Sequence, residues 1–175
     1  MMIYYDILQK NILLFGIIII YLLTIICTLE CNYNNSLSIS DILEKCHSNV
    51  LFLMLLMGIL TIIYEGFLIN FKKTILSFLS IIILLFGIYG LIIIDNRFIL
   101  HYFFAFIVFI SILVYMICNC NIYKCYKLNI LLIIQIIISV FLLIYILQDK
   151  DILLLEIFLL VIFAIYFIMI HYKNN

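Results

Sequence analysis

The chain has 175 residues, of which 70% are hydrophobic and 10% charged, with nine basic side chains balanced by nine acidic ones. A soluble domain is nearer half apolar and a quarter charged, so this composition excludes a water-exposed globule and makes lipid the solvent of the outer surface. The zero net charge also excludes a nucleic-acid binder, which needs a basic face.

Hydrophobic runs of bilayer length, about 20 residues, occur six times in chain order: residues 12–29, 50–69, 74–94, 98–117, 128–147 and 152–170. A membrane barrel alternates lipid-facing and lumen-facing residues along each strand, whereas Ile17 to Ile20 and Leu91 to Ile94 do not alternate. Backbone donors in lipid must be satisfied within each span, which selects helices. Each central Leu, Ile, Phe or Val favours insertion by roughly 0.3–0.6 kcal/mol, so a full span outweighs the cost of about 3 kcal/mol for one acid. The predicted fold is all-α: a polytopic membrane protein, one domain over residues 1–175, with six transmembrane helices in a compact bundle. The first span is too long for a signal-peptide core, lacks a small-residue cleavage site and is followed by five more.

The connections after the second span are short, which makes neighbouring spans antiparallel. Only residues 30–49 offer room for structure of their own, with Ser40 placed to cap a short helix. Lys10, Lys72, Lys73, Lys124, Lys127 and Lys173 fall on one side of the membrane and Lys45, Arg97 and Lys150 on the other. The excess of basic residues on the cytoplasmic side of membrane proteins then places both termini in the cytosol.

Cys31 and Cys46 bracket the first loop on the lumenal side, where a disulfide is chemically permitted, although spacing does not establish proximity. Cys118, Cys120 and Cys125 are expected in the cytosolic loop between spans four and five. No fourth ligand lies near them, so free thiols, palmitoylated at the membrane edge, are a simpler reading than zinc. No metal site and no cofactor are expected, and no nucleophile elbow, phosphate loop or metalloprotease helix occurs.

An ionisable residue inside a span is a candidate functional residue. Glu65 lies in span two, His101 one turn into span four and Glu156 one turn into span six; the neutral Gln135 lies in span five. His101 and Glu156 enter the bilayer from the same side at similar depth. If spans four and six are neighbours, they form an acid–base pair, with the carboxylate holding one imidazole tautomer. His47 and Asp95 lie at the same rim, and Arg97 stands beside Asp95. The competing reading is structural: Glu65 and Glu156 snorkel to the interface, His101 is an interfacial amphipath, and Asp95 and Arg97 form a turn ion pair of little energetic weight.

Gly87-Ile88-Tyr89-Gly90 in the third span, followed by Phe98 and by His101-Tyr102-Phe103-Phe104-Ala105-Phe106-Ile107-Val108-Phe109-Ile110, resembles the family of post-GPI-attachment-to-proteins factor two. That family shares a domain with the yeast cell-wall biogenesis protein and the damage-regulated autophagy modulators. Cys31-Asn32 with Leu37-Ser38-Ile39-Ser40, and Glu156 followed by Ile162-Phe163-Ala164, are similar to the family's first-loop and last-span motifs. The resemblance implies a six-span protein of the Golgi or ER that remodels the fatty acid of GPI anchors. It would act on lyso-GPI at the lumenal leaflet, as an acyl-transfer enzyme or as an accessory factor. Were it catalytic, His101 would be the general base and Glu156 its orienting acid. His47, Asp95 and Arg97 would hold the headgroup, and Gly87, Gly90 and Ala105 would leave room for an acyl donor. The implied partners are membrane lipid, GPI-anchored proteins and other membrane proteins. The autophagy-modulator branch implies the alternative, a non-catalytic protein that organises lipid or scaffolds partners, which the missing nucleophile motif favours.

Overall fold

The computed structural model describes residues 2–30, 38–39, 47–68, 71–94, 98–148 and 151–173. Among the described residues lie six long helices: α1 (Met2–Glu30), α2 (His47–Leu68), α3 (Phe71–Ile93), α4 (Ile99–Tyr123), α5 (Tyr126–Leu147) and α6 (Leu153–Lys173). Every consecutive pair packs together, and α4 also touches α6. Three stretches, Ile99–Tyr123, Tyr126–Leu147 and Leu153–His171, are long and apolar enough to cross a membrane. Large apolar side chains also cover the outside of the bundle, Phe15, Phe52, Leu76, Phe106 and Leu147 among them. Such a surface is built for lipid.

Small polar residues inside the helices hide their donors locally. Thr24 donates to the Ile20 carbonyl, Thr61 to Met57, Ser111 to Ile107 and Ser139 to Gln135, all at 2.7–2.8 Å and four residues back. Asn119 does the same to Tyr115 through its amide nitrogen at 2.9 Å. A hydroxyl turned onto the preceding turn leaves no unsatisfied donor, which lets these residues sit in an apolar bundle.

The helices come closest along α3 and α4. A Cβ on Gly90 would land on the Phe104 ring, and one on Gly87 would come within 2.8 Å of Val108 Cγ2 and 3.2 Å of the Val108 backbone nitrogen. The space above both glycines is filled by α4. This corrects the expectation that Gly87 and Gly90 leave room for a ligand; they let two backbones approach, the use small residues commonly have between helices in lipid.

α4 is also longer than its hydrophobic run. It continues to Tyr123 and stops at Lys124, which takes the left-handed conformation (φ 44°, ψ 43°) and donates its amide to the Cys120 carbonyl. The left-handed C-terminal residue satisfies a carbonyl that would otherwise be orphaned. Cys118 and Cys120 therefore belong to the last turns of α4 rather than to a loop, and Cys125 is the N-cap of α5. All three are free thiols.

At this end of the bundle α6 is locked to α4. The Tyr166 hydroxyl donates to the Met116 carbonyl at 2.6 Å and lies 3.2 Å from Cys120 Sγ. Tyr115 stacks on Phe167 and meets Phe163 edge-on, while His171 is wedged edge-on against Tyr64 and Phe167 at 4.6 and 4.4 Å between ring centres. Aromatic pairs in this geometry contribute about 0.5–1.5 kcal/mol each beyond burial.

Gly90→Ala is expected to destabilise the protein by about 1–3 kcal/mol through overpacking, and Phe104→Ala in the same chain should recover most of that loss. Thermal unfolding of the four proteins of the cycle in detergent measures the coupling. Strictly additive effects would show that Phe104 does not occupy the space above Gly90.

Candidate functional site

The end of the bundle opposite Tyr166 carries both intramembrane candidates. His101 stands in the first turn of α4 and is 4% exposed. Its Nδ1 lies 2.7 Å from the carbonyl oxygen of Ile94, just past the end of α3. A carbonyl only accepts, so Nδ1 is the donor, and whenever the ring is uncharged Nε2 is its bare nitrogen. Among the described residues Nε2 has no hydrogen-bond partner. The imidazole thus caps a carbonyl at the C-terminus of α3 and closes the α3–α4 hairpin, a position where helix carbonyls lack intrahelical partners.

Glu156 lies in the first turn of α6, where a carboxylate meets the positive end of the helix dipole. Asp151 begins the same helix by accepting the Leu153 amide at 3.0 Å. One Glu156 oxygen, Oε2, accepts the backbone N–H of Ile39 at 2.6 Å. The first loop is thereby tied to the last helix across 117 residues of chain. Ser38 beside it is buried, and Ile39 packs against the apolar core.

The expected acid–base pair is not formed. Spans four and six are neighbours, as that pairing requires, yet His101 is engaged with Ile94 and Glu156 with Ile39, and no hydrogen bond joins them. The physical reason is that each group is already held by a backbone partner, His101 Nδ1 by the Ile94 carbonyl and Glu156 by the Ile39 amide. Between the helices lies a cavity that Glu156 and Ile39 both line.

That cavity has a volume of about 370 Å³. It is walled by α1, α2, α3, α4 and α6, with α5 outside. Ile17, Met54, Ile88 and Ala105 represent the wall on four of these helices, and Glu156 begins the α6 wall beside Ile39. Among the described residues the lining hydroxyls are few: Thr24 and Thr61 are turned onto their own helices, and the buried Tyr21 hydroxyl has no hydrogen-bond partner there. The volume falls within the range of about 300–1,000 Å³ typical of small-molecule sites. Among the described residues Glu156 is the one carboxylate of an otherwise largely apolar lining, which suits a hydrocarbon chain far better than a polar substrate.

Of the other candidates, His47 is the first residue of α2 and Glu65 belongs to the same helix, but their side chains lie outside the described residues. Asp95, Arg97, Cys31, Cys46 and the 40–44 segment also lie outside them. Gln135 is 1% exposed, and its Oε1 has no hydrogen-bond partner among the described residues. Ala105 does line the cavity, as expected of a residue that leaves room. Sequence reasoning missed the cavity itself, the Ile39 amide and the burial of His171. A backbone donor and a void between helices have no residue-type signature.

The Ile39–Glu156 bond gives a direct test. Hydrogen bonds to charged groups contribute about 1.5–3 kcal/mol, so Glu156→Ala should speed amide exchange at Ile39 by about ten- to hundredfold. Glu156→Gln, which keeps a carbonyl acceptor, should give an intermediate rate by hydrogen-exchange mass spectrometry. Unchanged exchange in the alanine variant would mean that other contacts hold the loop.

Comparison of the chain with protein-family models, with curated proteins and with solved structures gives no match to any of them.

Proposed function

We propose that the chain is a multi-pass membrane protein of six spans, with both termini cytosolic, that handles lipid within its helical bundle. The single observation that carries this reading is the apolar cavity with Glu156 at one end. A bundle made only to stand in a membrane gains packing energy by closing such a space, since each lining atom otherwise forgoes its contacts.

The resemblance of the Gly87–Ile110 and Glu156–Ala164 segments to GPI-lipid remodelling factors names the pathway: correction of the fatty acid on GPI anchors at the lumenal leaflet of the Golgi or ER. Within that pathway the geometry favours an accessory role over acyl transfer. Acyl transfer needs a base within reach of a nucleophile or substrate hydroxyl. Here Glu156 accepts the Ile39 amide, and His101 turns its proton to Ile94. The alternative, a lipid-organising scaffold, draws on α5, whose Ile133, Ile137, Val140 and Phe141 all face outward.

Mass spectrometry of GPI-anchor lipids from cells lacking the protein tests the proposal. Loss should leave lyso-GPI or anchors of altered acyl composition, and the wild-type chain should restore them. His101→Gln is expected to restore them as well if the protein is an accessory. Failure of that variant at normal protein level would return His101 to the chemistry, and normal anchor lipids in the null cells would remove the pathway.

A further inference from the structure

The cavity has a length, an apolar wall and a side entrance, and together these name its occupant. Its lining on α6 begins at Glu156 and ends at Ile168, about 18 Å of helix at about 1.5 Å per residue. The hydrocarbon core of a bilayer is about 30 Å thick, so one leaflet contributes chains of about 15 Å, close to that length. The lining is apolar along that length, so a hydrocarbon chain lying in it meets walls of its own polarity from end to end.

The entrance lies between α1 and α6. Among the described residues α1 packs extensively only against α2, while α6 packs against α5 and α4. The seam between α1 and α6 has no comparable backbone contact. Two cavity-lining residues on this seam also face outward: Leu22 of α1 is 53% exposed and Ile165 of α6 is 44% exposed. The space therefore communicates sideways with the surrounding hydrocarbon. Glu156 stands in the first turn of its helix, at headgroup depth. Its charge repels the carboxylate of a free fatty acid, and as an acceptor it suits a headgroup bearing hydroxyl or ammonium donors.

We propose that the α1–α6 seam admits one acyl chain of a two-chain membrane lipid into the cavity, with the headgroup at Glu156 and the second chain left in the bilayer. This rests on the membrane-spanning part of the reading above and is independent of the GPI pathway. A chain entering sideways need not leave its leaflet, so the headgroup stays hydrated while the tail exchanges lipid neighbours for protein walls of like polarity.

The test uses the full chain reconstituted in phosphatidylcholine vesicles containing a small fraction of phosphatidylethanolamine with a diazirine on one acyl chain. After irradiation, peptide mass spectrometry should find label on cavity residues of α1 and α6, saturating at one lipid per protein, above the diffuse label on the outward face of α5. Ala164→Phe, which narrows the cavity, should lower cavity labelling about tenfold, as a loss of about 1.4 kcal/mol does. Leu22→Trp narrows the mouth without entering the core and should lower it too, whereas Ile133→Phe on α5 should not. Label confined to the outer faces, or cavity label unchanged in both Ala164→Phe and Leu22→Trp, overturns the proposal. Preferential capture of a diazirine fatty acid over the phospholipid overturns the two-chain assignment. A positive result with normal GPI-anchor lipids in null cells leaves the proposal standing and removes the pathway; the reverse combination removes the proposal and keeps the pathway.

Discussion

The bond from the Tyr166 hydroxyl to the Met116 carbonyl sets the geometry of the bundle. It joins two helices that are otherwise apolar on nearly every face, and it does so at one end only. An aromatic cluster closes around His171 beside it. The cavity runs along α6 from Glu156 to Ile168, past this attachment, and at its far end the loop residue Ile39 meets the α6 carboxylate in a second polar tie.

The two polar ties differ in kind. Tyr166 reaches a helix carbonyl whose bond lies deep among side chains, where little water is available to compete and the interaction is correspondingly firm. Glu156 holds a backbone amide of a short described segment at the rim, only part-buried, where loop and solvent meet. One end of the bundle is accordingly built as a hinge seat and the other as a lip. His101 works within a single hairpin, fastening the end of α3 to the start of α4. Its neighbours along the hairpin, Gly87 and Gly90 against Val108 and Phe104, do the rest by close approach.

Much of the fold is legible in hydropathy alone. Each apolar run lies within or nearly coincides with one helix, because burying a helix's backbone bonds in lipid leaves few alternatives. Helix ends are less legible. Residues 118–123 are polar enough to read as a loop, yet Asn119 turns its amide onto Tyr115 and Cys120 meets Tyr166, so α4 continues through them. Charge in an apolar run singled out His101 and Glu156, and each has a backbone hydrogen-bond partner. Their partners were illegible because both are backbone groups, one from the first loop and one from a helix end. The cavity was illegible for a different reason: Ile, Leu, Val and Phe line it as they line every other surface of this chain, so composition cannot distinguish a wall from a filled core.

Helix α5 touches the bundle along a narrow stripe, with Leu128, Gln135 and Leu142 buried and apolar side chains exposed around most of the remaining circumference. A cylinder coated almost uniformly in isoleucine and leucine has little apolar reason to prefer one azimuth over another. Packing supplies the preference: Leu128, Gln135 and Leu142 recur every seven residues, about two helical turns, and all three are buried. One narrow stripe therefore fixes which way the helix faces, by the fit of its side chains against the bundle and not by a difference in polarity.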